Sequence, residues 1–367
     1  MKNYPVPAHS GVLSLKPYIG GASSIKGKDK DSVIKLSSNE SASGTNPAAI
    51  KAVRDYAENL FRYPDGGATI LRQTIAETHG LEADRIVCGN GSDELIGLLC
   101  HAYLGTADEV VITQYAFSMY RLYTICCGAS PVTVPEKNFK IDLQSVLKVV
   151  NPKTKMIFIT NPGNPTGTYL PLEDLRTFCH KLPENIMIVI DSAYAEFVGK
   201  DDYSAGAELV DEFPNVVMLR TFSKIYGLGG VRLGWSYSSR EIADVLNRIR
   251  APFNVNAVAQ IAGTAALKNQ DFVKTAFEHN QNWLNRLPSD FKKIGLKMTP
   301  SVANFVLVHF PEDSEKSAEK ADLFLQGRGI IVRRLLSYGL PDALRITIGN
   351  DEEMNAVLEA LKDFMAN

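Results

Sequence analysis

Residues 216–232 read VVMLRTFSKIYGLGGVR, an apolar run followed by a lysine, a glycine-rich loop and an arginine. A continuous apolar run predicts a strand that is covered by helices on both faces, as in a mostly parallel α/β sheet. In such sheets ligands bind beyond the carboxyl ends of the strands. Because Lys224 follows such an end, we expect the residues around it to carry chemistry.

Further apolar runs of the same kind alternate with helical segments along the chain, and together they predict a mostly parallel, seven-stranded sheet flanked by helices. These runs are Arg85–Gly89, Glu109–Ile112, Ala129–Val134, Met156–Thr160, Met187–Asp191 and Leu233–Tyr237. After Arg240 the pattern is helical through Lys293. Short strands then mix with helices, which indicates a smaller α+β domain. The predicted short strands are Ala303–His309, Ile330–Arg333 and Leu344–Ile348.

These patterns predict three parts of the chain. Residues 1–37 form an N-terminal arm that packs with the small domain, residues 38–280 form the large ligand-binding domain, and residues 281–367 form the small C-terminal domain. A chain of 367 residues is longer than one hydrophobic core usually holds, which agrees with two domains.

The composition excludes several classes of protein. Hydrophobic residues make up 45%, charged residues 22%, and the formal net charge is -2, so no general attraction to nucleic acid or to acidic membranes is expected. The longest apolar runs are too short to cross a bilayer. The opening stretch MKNYPVPAHSG lacks an apolar signal core, so we expect no export. Five cysteines without a C-x-x-C pair predict free thiols in a reducing cytoplasm and no metal site.

Lys224 has neighbours that are suited to hold an anion. Taken alone, it would most simply be a surface lysine in a loop, because burying an ammonium is costly. Thr221 and Ser223 add hydroxyl donors, the glycines allow the backbone to come close, and Arg232 adds a planar cation suited to phosphate. Together they indicate a lysine that holds a phosphorylated aldehyde covalently.

Polar residues also follow two other predicted strands. Asp191 could be an ordinary helix N-cap, or it could be the partner of a protonated pyridine nitrogen. In the second interpretation Tyr194 points its phenol at the 3-oxygen of the ring. The loop Asn161–Gly167 could be a pair of tight turns, but Asn164 can also donate to a cofactor oxygen.

A second anion site is predicted before the helix that begins near Leu95. Small residues at a helix N-terminus leave backbone N–H groups free to bind phosphate, and Gly91, Ser92 and Asp93 occupy that place. The same residues could form an ordinary helix cap. The run Leu228–Gly230 stands in the wrong context for dinucleotide binding, and no Walker sequence is present.

Together these motifs resemble the fold-type-I aminotransferases and, more narrowly, the histidinol-phosphate aminotransferase family. The resemblance covers nearly the whole chain. Three further motifs occur in the order of that family, namely Ser38-Asn39-Glu40, Arg62-Tyr63-Pro64-Asp65 and Leu344-Arg345-Ile346-Thr347-Ile348-Gly349.

The resemblance implies pyridoxal 5'-phosphate as cofactor and a homodimer with shared active sites. Lys224 would bind the cofactor as a Schiff base and move the substrate proton, Asp191 would hold the pyridine nitrogen, and Tyr194 would contact the 3-oxygen. The other implied cofactor contacts are Gly91, Ser92, Asp93, Phe117 stacked on the ring, Asn164, Thr221, Ser223, Arg232 and, from the partner subunit, the residue equivalent to Tyr63. The implied substrate contacts are Tyr18, Asn39, Asn304, Arg333 and Arg345.

Two arginines suit a dianionic phosphate better than a single carboxylate, and strand alternation lets only one of Arg333 and Arg334 face the site. The resemblance therefore implies transfer from histidinol phosphate to 2-oxoglutarate, which gives imidazole acetol phosphate and glutamate in histidine biosynthesis. Alternatives are aminotransfer from phenylalanine or tyrosine, a lyase or decarboxylase such as one acting on threonine phosphate, and a non-catalytic binding protein. Two departures from the family pattern, Ser192 and Gln114-Tyr115-Ala116, leave the substrate open.

Overall fold

The computed structural model describes residues 6, 11–29, 32–311 and 315–366. The opening stretch, in which the sequence predicts no export signal, lies outside these residues except for Val6 and Gly11. Among the helices that the structure describes, none has the length and apolar character needed to cross a membrane.

The strands of the described residues, in chain order, are β1 (Ile34–Lys35), β2 (Ile86–Gly89), β3 (Glu109–Thr113), β4 (Ser130–Val134), β5 (Thr154–Thr160), β6 (Met187–Asp191), β7 (Val216–Thr221), β8 (Gly234–Tyr237), β9 (Lys297–Thr299), β10 (Phe305–His309), β11 (Ile330–Ile331), β12 (Arg333–Leu335) and β13 (Leu340–Thr347). The helices are α1 (Pro47–Tyr56), α2 (Thr69–His79), α3 (Ser92–Tyr103), α4 (Ser118–Cys126), α5 (Leu143–Val149), α6 (Leu172–His180), α7 (Ala207–Glu212), α8 (Arg240–Ile249), α9 (Ala257–Lys268), α10 (Gln270–Lys293), α11 (Ala318–Gly327) and α12 (Asp351–Ala366).

The largest sheet has seven strands in the order β2-β8-β7-β6-β5-β3-β4. All of them run parallel except β8, which is antiparallel to both of its neighbours. The predicted fold class is therefore confirmed, and each of the seven predicted runs forms a strand. The register pairs Thr160 with Asp191, so the polar ends of β5 and β6 meet at one edge of the sheet.

Both faces of this sheet are covered, as the continuous apolar runs predict. Along β6, Ile188 and Ile190 enter a core that includes residues of α2 and α9. Met187 and Val189 enter a second core that includes residues of α3 and α8. Since successive strand residues point to opposite faces, only a strand that is apolar at every position can fill both cores.

The C-terminal part forms a four-stranded antiparallel sheet in the order β12-β13-β10-β9. Residues of α10, α11 and α12 pack with it in a separate core, which also takes in Leu36 of the arm. In addition, β1 pairs in parallel with β11, so the arm is joined to this part.

One helix links the two regions. In α10, Ala276 belongs to the core of the large sheet, whereas Trp283 belongs to the C-terminal core. The boundary predicted between residues 280 and 281 falls between these two side chains, and the division of the chain into domains stays a prediction.

Candidate active site

A cavity of about 390 Å³ lies at the carboxyl ends of β5, β6 and β7, and β12, β13 and the arm contribute to its walls. Its volume lies within the range of small-molecule sites. The cavity brings together most of the predicted side chains, namely Tyr18, Asn39, Ser92, Asp93, Phe117, Asn164, Asp191, Tyr194, Thr221, Ser223, Lys224, Arg232, Arg333 and Arg345.

Three predicted residues do not line the cavity. Gly91 lies beside it, where a Cβ atom would come 2.5 Å from Nη2 of Arg232. Asn304 is buried behind the wall, and its Nδ2 donates to the backbone oxygens of Asn39 at 3.1 Å and Glu40 at 3.3 Å. Tyr63 is 82% exposed. Within one chain, Asn304 and Tyr63 therefore do not line the cavity, and their contacts with a ligand stay predictions.

Lys224 is held by a tight turn that follows β7. The amide of Gly227 donates to the carbonyl of Lys224 at 3.0 Å. Gly227 has a φ of 67° and passes so close to Gly44 that a Cβ would lie 2.0 Å from the carbonyl oxygen of Gly44. Only glycine accommodates both the left-handed backbone and this approach, so it fixes the turn that presents the lysine.

The amine of Lys224 is poised to be neutral near pH 7. Its Nζ donates to the carbonyl of Ser38 at 3.2 Å. Burial lowers the pKa of Lys224, and the charge of Arg345 lowers it further, to about 7. A neutral amine can act as a nucleophile or as a base, whereas an ammonium cannot.

Three arginines and the amine of Lys224 face the cavity without an anionic partner. The arginines are Arg232, Arg333 and Arg345. In the part of the chain that the structure describes, no carboxylate lies within 4.0 Å of their charged nitrogens. Arg345 is only 5% exposed, and its Nε has no hydrogen-bond partner among these residues. Since a buried unpaired cation is costly, this arrangement indicates that anionic ligands complete the site.

The acidic side chains of the cavity are already engaged. Glu40 bonds Lys35 at 2.6 Å, Asp93 accepts from the phenol of Tyr123 at 2.9 Å, and Asp191 accepts from a tyrosine phenol at 2.6 Å. None of them therefore neutralises the three arginines or Lys224 by direct contact.

One end of the cavity forms an anion cradle. Nη1 of Arg232 donates to the carbonyl of Gly229 at 3.0 Å and lies 3.4 Å from Oγ of Ser223. Helix α3 begins at Ser92 without a side-chain cap, so backbone N–H groups of its first turn are available to a ligand. Position 234, which packs beneath these N–H groups, must be glycine, because a Cβ there would lie 2.2 Å from the amide nitrogen of Ser92.

Asp191 is the last residue of β6 and is buried. Its Oδ1 accepts from the amide of Ala193 at 3.2 Å, and its Oδ2 accepts from the phenol of Tyr120 at 2.6 Å. Burial raises the pKa of Asp191, and the bond from Tyr120 opposes that shift. No α-helix begins here, because a short 3-10 turn follows at Ala195–Phe197, so the helix N-cap interpretation does not apply.

Tyr194 is aimed at the cavity by two amides. Nδ2 of Asn39 donates to the phenol oxygen at 2.9 Å and Nδ2 of Asn164 at 3.2 Å. Burial raises the pKa of Tyr194 to about 12, so the phenol keeps its hydrogen. Because both amides donate to the oxygen, that hydrogen is free to be donated to a ligand.

The orientation of Asn164 is set by Arg345. Nη1 of Arg345 donates to Oδ1 of Asn164 at 2.7 Å, and Nη2 donates to the carbonyl of Ser37 at 2.7 Å. The amide nitrogen of Asn164 must therefore face Tyr194. A cation on β13 thus holds a side chain of the large-sheet region in place.

Sequence reasoning missed several residues that belong to this site. Tyr120, Thr160, Glu40 and Tyr338 were not predicted, yet Tyr120 bonds Asp191 and the other three line the cavity. Tyr120 could have been found, because it lies three residues after Phe117 at the start of α4 and such spacing places side chains together. Tyr338 lies in a short 3-10 turn, for which no periodic pattern gives a signal.

The two departures from the family pattern lie outside the cavity lining. Oγ of Ser192 donates to the carbonyl of Ala205 at 2.6 Å, and the ring of Tyr115 stacks on Phe139. Of the two arginines that strand alternation points to opposite sides, Arg333 lines the cavity, whereas Arg334 lies 3.6 Å from Glu319 outside the lining.

Comparisons with known proteins place the chain in a family. The family description "Aminotransferase class I and II" matches residues 31–361. A histidinol-phosphate aminotransferase of Paramagnetospirillum magneticum is 49% identical over 361 residues, which are 98% of this chain and 99% of the relative. One of Maricaulis maris is 47% identical over 360 residues, again 98% and 99% of the two chains.

A solved structure agrees with this result. The histidinol-phosphate aminotransferase of Sinorhizobium meliloti, in complex with pyridoxal-5'-phosphate, superposes with a TM-score of 0.82 at 29% identity. The match covers 91% of each chain.

The lowered pKa of Lys224 gives a testable prediction. In the cofactor-free protein, trace acetylation of Lys224 should rise with pH around a midpoint of about 7, because the reactive neutral amine forms above its pKa. Peptide mass spectrometry measures the labelled fraction, with exposed Lys268 as the reference in the same sample. Labelling of Lys224 that begins only above about pH 9, as for an ordinary lysine, would contradict the burial argument.

Proposed function

This chain belongs to the class I and II aminotransferase family, and from that premise we propose that it transfers the amino group of histidinol phosphate to 2-oxoglutarate. The products are imidazole acetol phosphate and glutamate, in a step of histidine biosynthesis. The observation that carries the proposal is the cavity with three arginines and a lysine that have no carboxylate partner among the described residues. The three arginines supply cations for two phosphate groups, one on the cofactor and one on the substrate.

The residues of the cavity fit pyridoxal phosphate. An aldehyde needs a neutral amine, and Lys224 provides one near pH 7. A phosphate needs donors and a cation, which Ser223, Arg232 and the uncapped start of α3 provide. Nη2 of Arg232 lies against Gly91 at the start of α3, and a cation in this place is the feature that an ordinary helix cap would not explain.

The remaining cofactor groups also have candidate partners. Asp191 would bind the pyridine nitrogen, and Tyr194 with Asn164 would contact the 3-oxygen. Phe117 would stack on the ring, and Thr221 would add to the phosphate contacts. These roles rest on the family resemblance together with the placement of all five side chains around one cavity.

When bound, pyridoxal phosphate supplies an electron-accepting ring that makes the C–H bond at the amine-bearing carbon of the substrate acidic. Lys224 would take the proton from the substrate carbon and later return it, for which a pKa of about 7 is well matched to neutral pH. Asp191, when ionised, would hold a proton on the ring nitrogen. Tyr194 would donate its free hydrogen to a ring oxygen and fix the orientation of the ring.

The substrate end of the cavity favours an acidic group next to a flat ring. Arg345 and Arg333 supply the cations, and Tyr18, Phe117 and Tyr338 supply aromatic surface. Nη2 of Arg333 donates to the carbonyl of Ile19 at 2.9 Å, which ties the arm to this end. Phenylalanine and tyrosine would use the aromatic surface but would offer only one carboxylate to the two arginines, which makes them the second candidate donors.

We also propose that the enzyme is a homodimer that acts in a reducing cytoplasm. Its cysteines are all free thiols in the structure. Leu60, Phe61 and Tyr63 are 57%, 75% and 82% exposed, and Tyr63 stacks on the half-exposed Phe253 with ring centroids 4.8 Å apart. An exposed apolar patch of this kind is typical of an interface. A second copy of the chain would cover it, and Tyr63 would reach the cofactor phosphate of the partner subunit.

The proposed reaction can be tested directly. With pyridoxal phosphate and 2-oxoglutarate, the purified enzyme should form glutamate from histidinol phosphate with a kcat/KM roughly 10- to 150-fold above that for phenylalanine, because one more charged contact is worth about 1.5–3 kcal/mol. The Lys224→Ala variant should be inactive with both donors. Equal or better turnover of phenylalanine would make the enzyme an aromatic aminotransferase. Release of carbon dioxide from threonine phosphate would indicate the decarboxylase alternative.

Arg345 should matter more for substrates than for the cofactor. Arg345→Gln is expected to lower kcat/KM for both acidic substrates by roughly 30- to 1000-fold, the usual effect of removing one partner of a buried charge pair. Loss of cofactor, followed by equilibrium dialysis, should be much smaller. Arg334→Gln is the matched control, because Arg334 lies against Glu319 outside the cavity lining. A variant that mainly releases cofactor would show that Arg345 has been assigned the wrong role.

The dimer is tested through its exposed aromatic patch. Phe61→Glu should give monomers in sedimentation at micromolar protein, because it places a charge in an apolar interface. Leu323→Glu, at a residue of α11 that is 62% exposed, should leave the dimer intact. Tyr63→Phe should keep the dimer and weaken retention of pyridoxal phosphate by several fold, the size of one lost hydrogen bond. A dimeric Phe61→Glu variant would place the interface elsewhere.

A further inference from the structure

Tyr120 stands directly behind Asp191 and is held from three directions. It lies in α4, has no exposed surface, and places its phenol oxygen 2.6 Å from Oδ2 of Asp191 and 3.0 Å from Oγ1 of Thr160. Its ring stacks on Phe158 with centroids 4.3 Å apart and an interplanar angle of 3°. It also meets the edge of Phe117 at 5.8 Å. The phenol therefore has little freedom to move away from the carboxylate.

The hydrogens in this cluster have one consistent arrangement. An ionised carboxylate only accepts, and a phenol has a single hydrogen, so Tyr120 donates to Asp191. The hydroxyl of Thr160 then donates to the phenol oxygen. The result is a chain from Thr160 through Tyr120 to Asp191 in which both hydroxyl dipoles point toward the negative charge, and such chains strengthen each other.

Asp191 needs this support because it has no cationic partner. In the described residues no Lys, Arg or His nitrogen lies within 4.0 Å of it, and its one other protein bond comes from the amide of Ala193 at 3.2 Å. A fully buried carboxylate in such surroundings tends to take up a proton. A protonated carboxyl group could not keep a proton on a pyridine nitrogen.

We propose that Tyr120 is a positioning residue that keeps Asp191 ionised and aimed at the ring nitrogen of the cofactor, with Thr160 orienting the phenol. The inference rests on the proposed function, since it concerns the contact between Asp191 and pyridoxal phosphate. Through its contact with Phe117, the same ring also supports the aromatic residue that would stack on the cofactor.

Tyr120 could instead have a purely structural role, and the variant Tyr120→Phe distinguishes that role from the one proposed. It keeps the ring and both ring contacts and removes only the hydroxyl. If Tyr120 acts through the ring nitrogen, the variant should bind pyridoxal phosphate roughly tenfold more weakly, the loss of one hydrogen bond to a charged group. It should bind 1-deazapyridoxal phosphate, in which carbon replaces the ring nitrogen, as tightly as the wild type does. Fluorescence titration of cofactor-free protein measures both dissociation constants.

Two further measurements test whether Tyr120 acts through Asp191. In the Asp191→Asn background, Tyr120→Phe should weaken binding of pyridoxal phosphate by no more than about twofold, because residues that act through one another are not additive. In steady-state kinetics kcat should fall by roughly tenfold while KM for 2-oxoglutarate stays within about twofold, since the substrate cations are untouched.

Matched variants control for the loss of a buried phenol. The buried Tyr237 of β8 donates to Asp211 at 3.3 Å. Tyr237 and Gly234 are at opposite ends of β8, and only Gly234 lies beneath the anion cradle. Tyr237→Phe should change the affinity for neither cofactor. Thr160→Val should show the same selective loss as Tyr120→Phe but smaller, and it decides the question alone if Tyr120→Phe does not fold.

The outcomes separate this inference from the proposed function. Equal loss of both cofactors, no loss of either, or full additivity with Asp191→Asn would overturn the role of Tyr120. If the wild type itself bound no pyridoxal phosphate, the proposed function would fail first.

Discussion

The site depends on one constraint, which is that a lysine and three arginines share a cavity without direct carboxylate partners among the described residues. Positive charges that lie close together make the charged form of each group less favourable, and the lysine is the group that can lose its proton. Arginine stays charged at any ordinary pH, whereas burial and the charge of Arg345 bring the pKa of Lys224 to about 7. The arrangement that suits anionic ligands therefore also prepares the nucleophilic amine.

The same cations connect the two regions of the chain. Arg345 comes from the C-terminal sheet, but it bonds Asn164 in the loop after β5, and Asn164 in turn donates to Tyr194 after β6. Asn39 reaches Tyr194 from the other side and accepts from Thr347 of β13. The phenol is thus fixed by side chains from both regions, so the site exists only when the arm, the large sheet and the C-terminal sheet are packed together.

The sequence predicted the parts of this arrangement that follow from strand ends. Asp191, Lys224 and Asn164 each come just after an apolar run, and a parallel sheet brings such positions to one edge whatever the details of packing. That is why the fold and the central site residues could be found without the structure. The bounds of the seven strands in the large sheet were predicted to within two residues, since their apolar runs are continuous and end at polar residues. The predicted run Ile330–Arg333 was wrong, because it divides into β11 and β12, which belong to different sheets.

The sequence could not predict the residues that contact the site from behind this edge of the large sheet. Tyr120 and Thr160 act through contacts whose partners lie tens of residues away. The spacing of Tyr120 to Phe117 places it near the site but does not indicate its bond to Asp191, and Tyr338 lies in a short 3-10 turn without a periodic pattern. Likewise, Asn304 matched a family position but bonds backbone oxygens behind the wall, because a motif fixes position and not the direction of a side chain.

A buried carboxylate such as Asp191 is useful only if something keeps it charged. The residue that does so must approach from the protein side, because the open side has to remain free for a ligand. A search for catalytic groups along strand ends therefore finds the carboxylate first, and its partner must be sought on the helix that packs behind it.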